Sequence, residues 1–537
     1  MENQNRNLIL FIVISIAIYF VCLRFLPQPG FPPAGQTATT AATPEPTPAL
    51  AAPAPKASSL ALAPVRASVP AASVTVSTDD YEAVFSNEGA VLTSFRLKQY
   101  SNRITGKPLQ MVNPAPGHPK PFTLEDASLP DLSGQRFEIK GTSKTLAKGQ
   151  TADLVFRTQT AGGTRVEKKF HFEGGSYLIG FDVALAQAHG QLAASPLGVA
   201  WADTLGVEDD MGTQSRVTGY RVATLAGGHL DSQSAKKSQE STDIPAPVRW
   251  TALANQYFLA ALVPDPASGG ASAKIVRDFH TFLPPTADNP TPGLSPKEYA
   301  PRPILEFPGQ ALSAGQGFER RGQVFLGPQN YYLLKGLKLH LEQVVDFGWF
   351  GFISIYMLQL LCWFEGFCHN WGLAIILLSI VVKLVLWFPT RSSYKSMYQT
   401  QQKMREIQPK VESLKRKYAD DKAKLNQETQ DLYAKAGINP LGGCLPLFLQ
   451  MPIFFALYAT LSHSIELRGA SFLWIKDLTL MDPLHVLPLF MGASMIVQQR
   501  VSGQAAANAP GQQRVMMWIF PVVLTAVSFQ WPSGLLI

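Results

Sequence analysis

The spacing of apolar and polar positions divides the chain into regions of different periodicity. Leu8 to Phe25 is almost wholly apolar, with Arg6 before it and Arg24 near its end. Its length suits a membrane span and no A-x-A cleavage site follows directly, so residues 1–26 read as an uncleaved signal anchor rather than a cleaved signal peptide. Residues 27–73 are rich in Pro, Ala and Thr and poor in large apolar side chains. Such a segment cannot bury enough surface to fold and is expected to be a tether. From Val74 the period becomes two. Val74–Thr78, Tyr81–Phe85, Arg165–Phe172 and Tyr177–Leu185 read as strands, separated by turns such as Asn87-Glu-Gly89 and Gly174-Gly175. The pattern predicts a large all-β sandwich over residues 74–340.

Beyond it the chain reads as helical. Asp346 to Gly366 is apolar and aromatic but interrupted by Gln359 and Glu365. An interfacial amphipathic helix within 341–370, lying on the outer membrane surface, is preferred there over full insertion. Residues 371–389, from Trp371 to Pro389, read as a span. Residues 390–440 are basic and helical; Met397, Met404, Ile407, Val411, Leu414 and Tyr418 form one apolar stripe, and Leu425, Leu432 and Ala436 form another after Asp420-Asp421. This predicts an antiparallel helical hairpin ending at Gly437. Further spans are expected at 441–465, 482–500 and 515–531, joined by loops at 466–481 and 501–514. Trp531-Pro-Ser-Gly534 makes a sharp turn, and 532–537 reads as the start of a truncated last span.

Charge fixes the direction of these spans. Between 390 and 440 stand eleven Lys and Arg residues, including Arg405, Lys410, Lys415, Arg416 and Lys417, against Arg468 and Lys476 in the 466–481 loop. The positive-inside rule therefore places the hairpin in the cytoplasm, which puts residues 26–370 outside and Met1 inside. The same basic residues account for most of the formal net charge of +7. They lie beside membrane spans and are not interleaved with aromatics in a nucleic-acid module, so a specific nucleic-acid partner is not expected. Their plainest role is a solvated, topology-setting face; docking of a cytoplasmic partner would be additional. All four cysteines, Cys22, Cys362, Cys368 and Cys444, lie in or beside apolar segments. An exported 74–340 region would thus fold without disulfides. Cys362, Cys368 and His369 lack the spacing and fourth ligand of a zinc site and read as buried small side chains. The β region carries no phosphate loop, nucleophile elbow or metal-spaced histidine group, so a binding or spacer domain is expected rather than an enzyme.

The candidate chemistry is one cation. Lys383 lies inside the apolar run Trp371–Pro389. A charge at bilayer depth costs roughly 2.5–3.5 kcal/mol on insertion scales, so such residues face a bundle interior or a wet cavity. Lys383 is only about 9 Å from Pro389 along a helix axis, and its ammonium could instead snorkel toward the headgroups. Ser379 shares its helical face. Gln450 and Gln498 are the matching polar candidates on two other spans, although a helix-bridging or interfacial role would explain them equally well.

Taken together, Asn439-Pro440-Leu-Gly442-Gly443-Cys-Leu-Pro446, Gln450-Met451-Pro452-Ile-Phe454, Pro532-Ser-Gly534 and a basic hairpin after a cation-bearing span resemble the YidC/Oxa/Alb family of membrane protein insertases. The anchor, tether and large external β domain match its Gram-negative form, so the resemblance covers essentially the whole chain. It implies a five-span core around a hydrophilic groove, open to cytoplasm and lipid and closed outside, and a β-supersandwich resembling sugar-mutarotase folds. It also implies an inner-membrane location, newly made membrane proteins as substrates, work alone or with the Sec translocon, possible contact with ribosome and signal-recognition machinery, and no cofactor or nucleotide hydrolysis. Many relatives have Arg where Lys383 stands; lysine keeps the point charge but loses the bidentate fork. Other classes open on the residues alone are a transporter or channel subunit, disfavoured by the absence of paired broken helices in two halves, and a membrane-tethered periplasmic carbohydrate-active domain.

Overall fold

The computed structural model describes residues 69–103, 105–112, 119–202, 205, 220–234, 241–279, 299–418, 421–437, 445–501 and 511–537. The expected anchor (1–26) and nearly all of the tether lie outside the described residues, as do Asn439, Pro440, Gly442 and Gly443. The chain forms two compact units that divide between Val345 and Asp346.

The first unit is built from β-strands. Its largest sheet has nine strands, in the order His229–Ser234, Arg221–Ala226, Val248–Ala254, Phe258–Pro264, Gly317–Pro328, Leu178–Gln187, Thr164–Glu173, Thr151–Gln159 and Glu138–Lys140. Every pairing in it is antiparallel. Alternation decides which face is buried. Phe156, Lys168, Val183 and Arg320 stand in one row across four neighbouring strands, and all are buried. Asp153, Lys169, His171 and Asp182 point the other way, where Lys169 pairs with Asp153 at 3.1 Å and His171 bridges Asp153 and Asp182 at 2.7 and 2.8 Å. One apolar and one polar face is what a sheet covered on a single side requires.

Two five-stranded sheets help cover the apolar face. Tyr81–Ser86, in the first, contributes Phe85, whose ring lies 4.6 Å from that of Phe170. Thr123–Glu125, at the edge of the second, is preceded by Phe122, 4.9 Å from Phe170 and 5.9 Å from Phe181. Aromatic side chains thus close a core that contains no cysteine. The strand periodicity read from sequence is present at Ser73–Ser77, Tyr81–Ser86, Thr164–Glu173 and Leu178–Gln187. A short helix, α1 (Tyr331–Gly336), follows the last strand, capped by the Asn330 side chain.

Lys168 is the polar exception in this core. Its Nζ donates to the carbonyls of Gly89 (2.8 Å), Ala90 (3.2 Å) and Phe122 (2.8 Å), and lies 5.6 Å from the Phe137 ring centre. Ala90 and Phe122 both hold positive φ, 49° and 70°, which turns their carbonyls away from a strand ladder. The ammonium therefore links three carbonyls, on two backbone segments, that the ladders leave unsatisfied.

With no carboxylate among its hydrogen-bond partners, burial pushes Lys168 from 10.5 down to about 7. Between those values the unfolded chain holds a proton that the folded chain lacks, so stability should rise with pH, by at most about 1.4 kcal/mol per unit. Below about 7 the lysine contribution is flat. Chemical denaturation of the β unit from pH 6 to 10 measures this slope; Lys168→Met should remove it and lower stability, by an amount that grows as the pH rises above about 7.

Candidate functional site

The second unit is helical: α2 (Gly351–Cys368), α3 (Trp371–Lys417), α4 (Lys422–Lys435), α5 (Leu445–His463), α6 (Val486–Val501), α7 (Gly511–Ser528) and α8 (Ser533–Leu536). The segment expected as an interfacial helix from 341 is divided. Leu341–Val344 is a 3-10 turn in the β unit, and the helix itself begins at Gly351. It breaks from α3 where His369 takes φ +49° and the Asn370 side chain caps the Leu373 N–H at 3.1 Å.

The span expected to end at Pro389 does not end there. Helix α3 runs unbroken through Pro389 and Pro409 for 47 residues, about 70 Å at 1.5 Å per residue. A proline removes one N–H from the ladder, a local loss that a long helix with good formers on both sides survives. Since hydrocarbon is about 30 Å thick, most of the basic part of α3 must lie outside it. Helix α4 returns alongside, with Asp421 capping its start, Gly437 at φ +62° after its end, and Lys403 of α3 facing that glycine.

Packing in this unit is concentrated at one end. Met357 and Leu361 of α2, Ala374, Ile375 and Leu378 of α3, Ala456 and Leu461 of α5, and Leu467, Ile475 and Leu478 of the loop after α5 form one buried cluster. Small residues permit close approach. The Ser354 hydroxyl donates to the Ala456 carbonyl at 3.1 Å, and the Thr460 hydroxyl donates to the carbonyls of Ser354 (3.2 Å) and Ala456 (2.8 Å). Such bonds tie α2 to α5 without an unsatisfied group. At Gly372 an added Cβ would lie 2.1 Å from the Phe472 ring, so the start of α3 sits flush on the loop. Pro532-Ser-Gly534 closes the same end: Ser533 and Gly534 N–H groups donate to the carbonyls of Leu480 (2.7 Å) and Leu478 (2.8 Å).

Asp482 organises the turn into α6. Its carboxylate accepts from the N–H groups of Leu484 (3.0 Å) and Leu487 (2.7 Å) and from the Trp474 indole (3.0 Å). In the turn Ile465–Leu467, burial pushes Glu466 upward.

Other faces of these helices are exposed. On α3, Trp371, Ala374, Ile375, Leu378 and Val382 face the cluster, whereas Ser379, Ile380, Lys383, Leu384, Val385 and Trp387 are exposed. Ser379 and Lys383 lie about 40° apart around the helix, on the flank of the buried stripe. On α5, Ala456 to Leu461 includes the buried residues, while Gln450, Met451 and Phe455 are exposed; on α6, Val497 and Gln498 are exposed. Counted along each helix from its packed end, Lys383, Gln450 and Gln498 lie about 18–20 Å in. The polar residues singled out on three different helices thus stand at similar distances along their own helices and on exposed surface. Among the basic hairpin residues, Lys410, Arg416 and Lys417 are exposed; the side chains of Arg405, Lys415 and Pro446 lie outside the described residues. Pro452 is half-buried within α5, and Pro532 precedes α8.

Sequence periodicity did not find the Ser354–Thr460 linkage, the Gly372–Phe472 contact or the Asp482 cap. The small residues at matching places on α2 and α5 were the one available signal for the first. Gly372→Val should force the Phe472 ring aside and lower the thermal unfolding midpoint of the detergent-purified chain; Phe472→Ala in the same chain should restore part of the loss, which differential scanning fluorimetry measures.

The family profile described as 60Kd inner membrane protein matches residues 363–537, and the one described as YidC periplasmic domain matches residues 73–360. A curated relative from Syntrophus aciditrophicus (strain SB), named membrane protein insertase YidC, is 32% identical over 490 residues, 88% of this chain and 83% of the relative. One of the same name from Nitratidesulfovibrio vulgaris (strain DP4) is 32% identical over 546 residues, 99% of this chain and 96% of the relative. The solved structure of an active YidC insertase with its first transmembrane domain resolved is 18% identical, covers 88% of this chain and 91% of that chain, and superposes with a TM-score of 0.34.

Proposed function

The chain belongs to the YidC family of membrane protein insertases, and we propose that it inserts newly made proteins into the bacterial inner membrane through the open part of its helical unit. Its β unit corresponds to the periplasmic domain of the family. The observation that carries the mechanism is the contrast along the helices: a sealed end holding Ala374, Ile375, Leu378, Ala456 and Leu461, and an open stretch carrying Ser379, Lys383, Gln450 and Gln498.

In this reading the sealed end faces the periplasm and the basic hairpin faces the cytoplasm, as the excess of Lys and Arg after residue 390 favours. An anchor at 1–26 precedes the periplasmic unit, and spans at 371–389, 441–465, 482–500 and 515–531 belong to the five-span core of the family. Helix α2 lies along the outer surface. It packs Ser354, Met357, Leu358 and Leu361 inward and exposes Phe352, Tyr356, Trp363 and Phe367, a stripe suited to the headgroup boundary. By length and composition α2 could also cross a bilayer; its 18 residues reach only about 27 Å.

A groove open from the cytoplasmic side brings water partway through the membrane. A polar substrate segment then crosses a shorter apolar distance, and less desolvation opposes its passage. The Lys383 ammonium attracts acidic groups in that segment. The substrate's own apolar stretch moves out along α3, α5 and α6 into lipid, where burial of its side chains holds it. No step requires a nucleotide or a cofactor. The exposed Lys410, Arg416 and Lys417 form the face offered to cytoplasmic partners, including the ribosome and signal-recognition machinery, and the chain works alone or beside the Sec translocon.

Lys383→Leu should reduce insertion of a short single-span protein with an acidic exported tail about tenfold, equivalent to about 1.4 kcal/mol, in proteoliposomes assayed by protease protection. Lys383→Arg should retain insertion, and a substrate with a neutral tail should be affected little. Unchanged insertion of the acidic substrate by Lys383→Leu would remove the electrostatic step.

A further inference from the structure

The loop between α5 and α6 carries a feature that the groove does not use. Phe472 and Ile475 exchange two backbone hydrogen bonds of 2.9 Å each, which makes a two-residue hairpin with Leu473 and Trp474 at its corners. Leu473 takes φ +52°, at the corner where glycine is usual because a side chain there is strained. Its side chain is nonetheless 76% exposed. A bulky apolar residue that is both strained and uncovered satisfies neither the turn nor the core.

The base of this hairpin is rigid. Ile475 and Leu478 are in the buried cluster, Phe472 lies against Gly372, and Leu478 N–H donates to the Ala470 carbonyl at 3.0 Å. The Trp474 indole N–H is held by the Asp482 carboxylate at 3.0 Å, leaving the apolar part of the ring outward. Lys476, two residues on, is exposed. The apolar surface continues through exposed Leu484, Val486, Leu489 and Phe490 into α6, one of the helices read as crossing the membrane.

We propose that Leu473 and Trp474 form a preorganised lipid wedge, which seats in the outer leaflet at the boundary of headgroups and acyl chains, with Lys476 beside a lipid phosphate. The chemistry fits that occupant on each count. An indole with a fixed polar edge and a free apolar face belongs at a membrane interface. A neighbouring ammonium complements phosphate. The wedge continues surface that hydrocarbon already covers along α6. By fixing the depth of the loop that receives Pro532-Ser-Gly534 and Gly372, it holds the sealed end of the bundle at the membrane surface. This surface is separate from the groove, so it stands whichever path a substrate takes past Lys383.

The test uses the full chain with its four cysteines replaced by serine, a single cysteine at Leu473→Cys carrying an environment-sensitive nitrobenzoxadiazole dye, and phosphatidylethanolamine–phosphatidylglycerol liposomes. Lys476→Cys reports the same depth without altering the strained corner, and Lys107→Cys in the β unit supplies a water-exposed standard. The expected result is blue-shifted emission at 473, quenched more by lipid with a doxyl group near its headgroup than by aqueous iodide, with 476 also quenched by that lipid. Iodide quenching at 473 and 476 equal to that at 107 would overturn the proposal. A blue shift without quenching by either lipid or iodide would overturn it too, because it would mean that protein covers the tip.

Discussion

Lysine within a stretch of Ile, Val and Leu imposes a condition on everything around it, because an ammonium stranded in hydrocarbon is too costly to keep. It must reach water, a counter-charge or the headgroups. Lys383 lies about three turns beyond the start of α3; its neighbour Val382 packs against the buried cluster, while the Lys383 side chain stands on the exposed flank of the same helix. Were the helices packed along their full length as they are around Leu378 and Leu461, the charge would be sealed in. An exposed flank of α3 at Lys383 is what makes the lysine tolerable, and in the proposed function the same flank is where a polar substrate enters.

Holding the packed end together requires strong local closure, since apolar burial alone does not drive helices together within lipid. The closure is made by backbone proximity and by hydrogen bonds between elements. Ser354 and Thr460 join α2 to α5 through carbonyls that are already in helical ladders. The loop from Ala470 to Asp482 lies across the end of α3 at Gly372 and offers carbonyls of Leu478 and Leu480 to the turn before α8. Asp482 then ends the loop by capping α6. Each contact satisfies a group that would otherwise be unpaired at the membrane surface.

Much of this organisation was legible in the chain because periodicity reports which face is buried. The strands around Val76, Phe85, Phe170 and Phe181 announce themselves by alternation, and the apolar stripes between Met397 and Ala436 announce the two basic helices. Helix ends were less legible. Pro389 looked like a terminus, yet α3 continues past it, since proline weakens a helix by one bond rather than forbidding it. Contacts that depend on the absence of a side chain, such as Gly372 under Phe472, have no pattern to betray them. Nor does Lys168, whose place in an alternating strand looks solvent-facing by residue type, while its register puts it in the core beside Phe156 and Val183. For the groove, the sequence supplied Ser379 and Lys383 as one face of a helix, but the common level of Lys383, Gln450 and Gln498 depends on where the three helices begin and end.

The proposed function requires water at the level of Lys383. It is measured most directly by placing single cysteines from 376 to 387 in an otherwise cysteine-free chain in liposomes and following their reaction with a charged, membrane-impermeant thiosulfonate. Reactivity should recur with the helical period of 3.6 residues, peaking at 379 and 383 and low at 378 and 382. Reactivity confined to positions after 386, with 379 and 383 as inert as 378, would mean a dry helix whose lysine merely stretches to the headgroups.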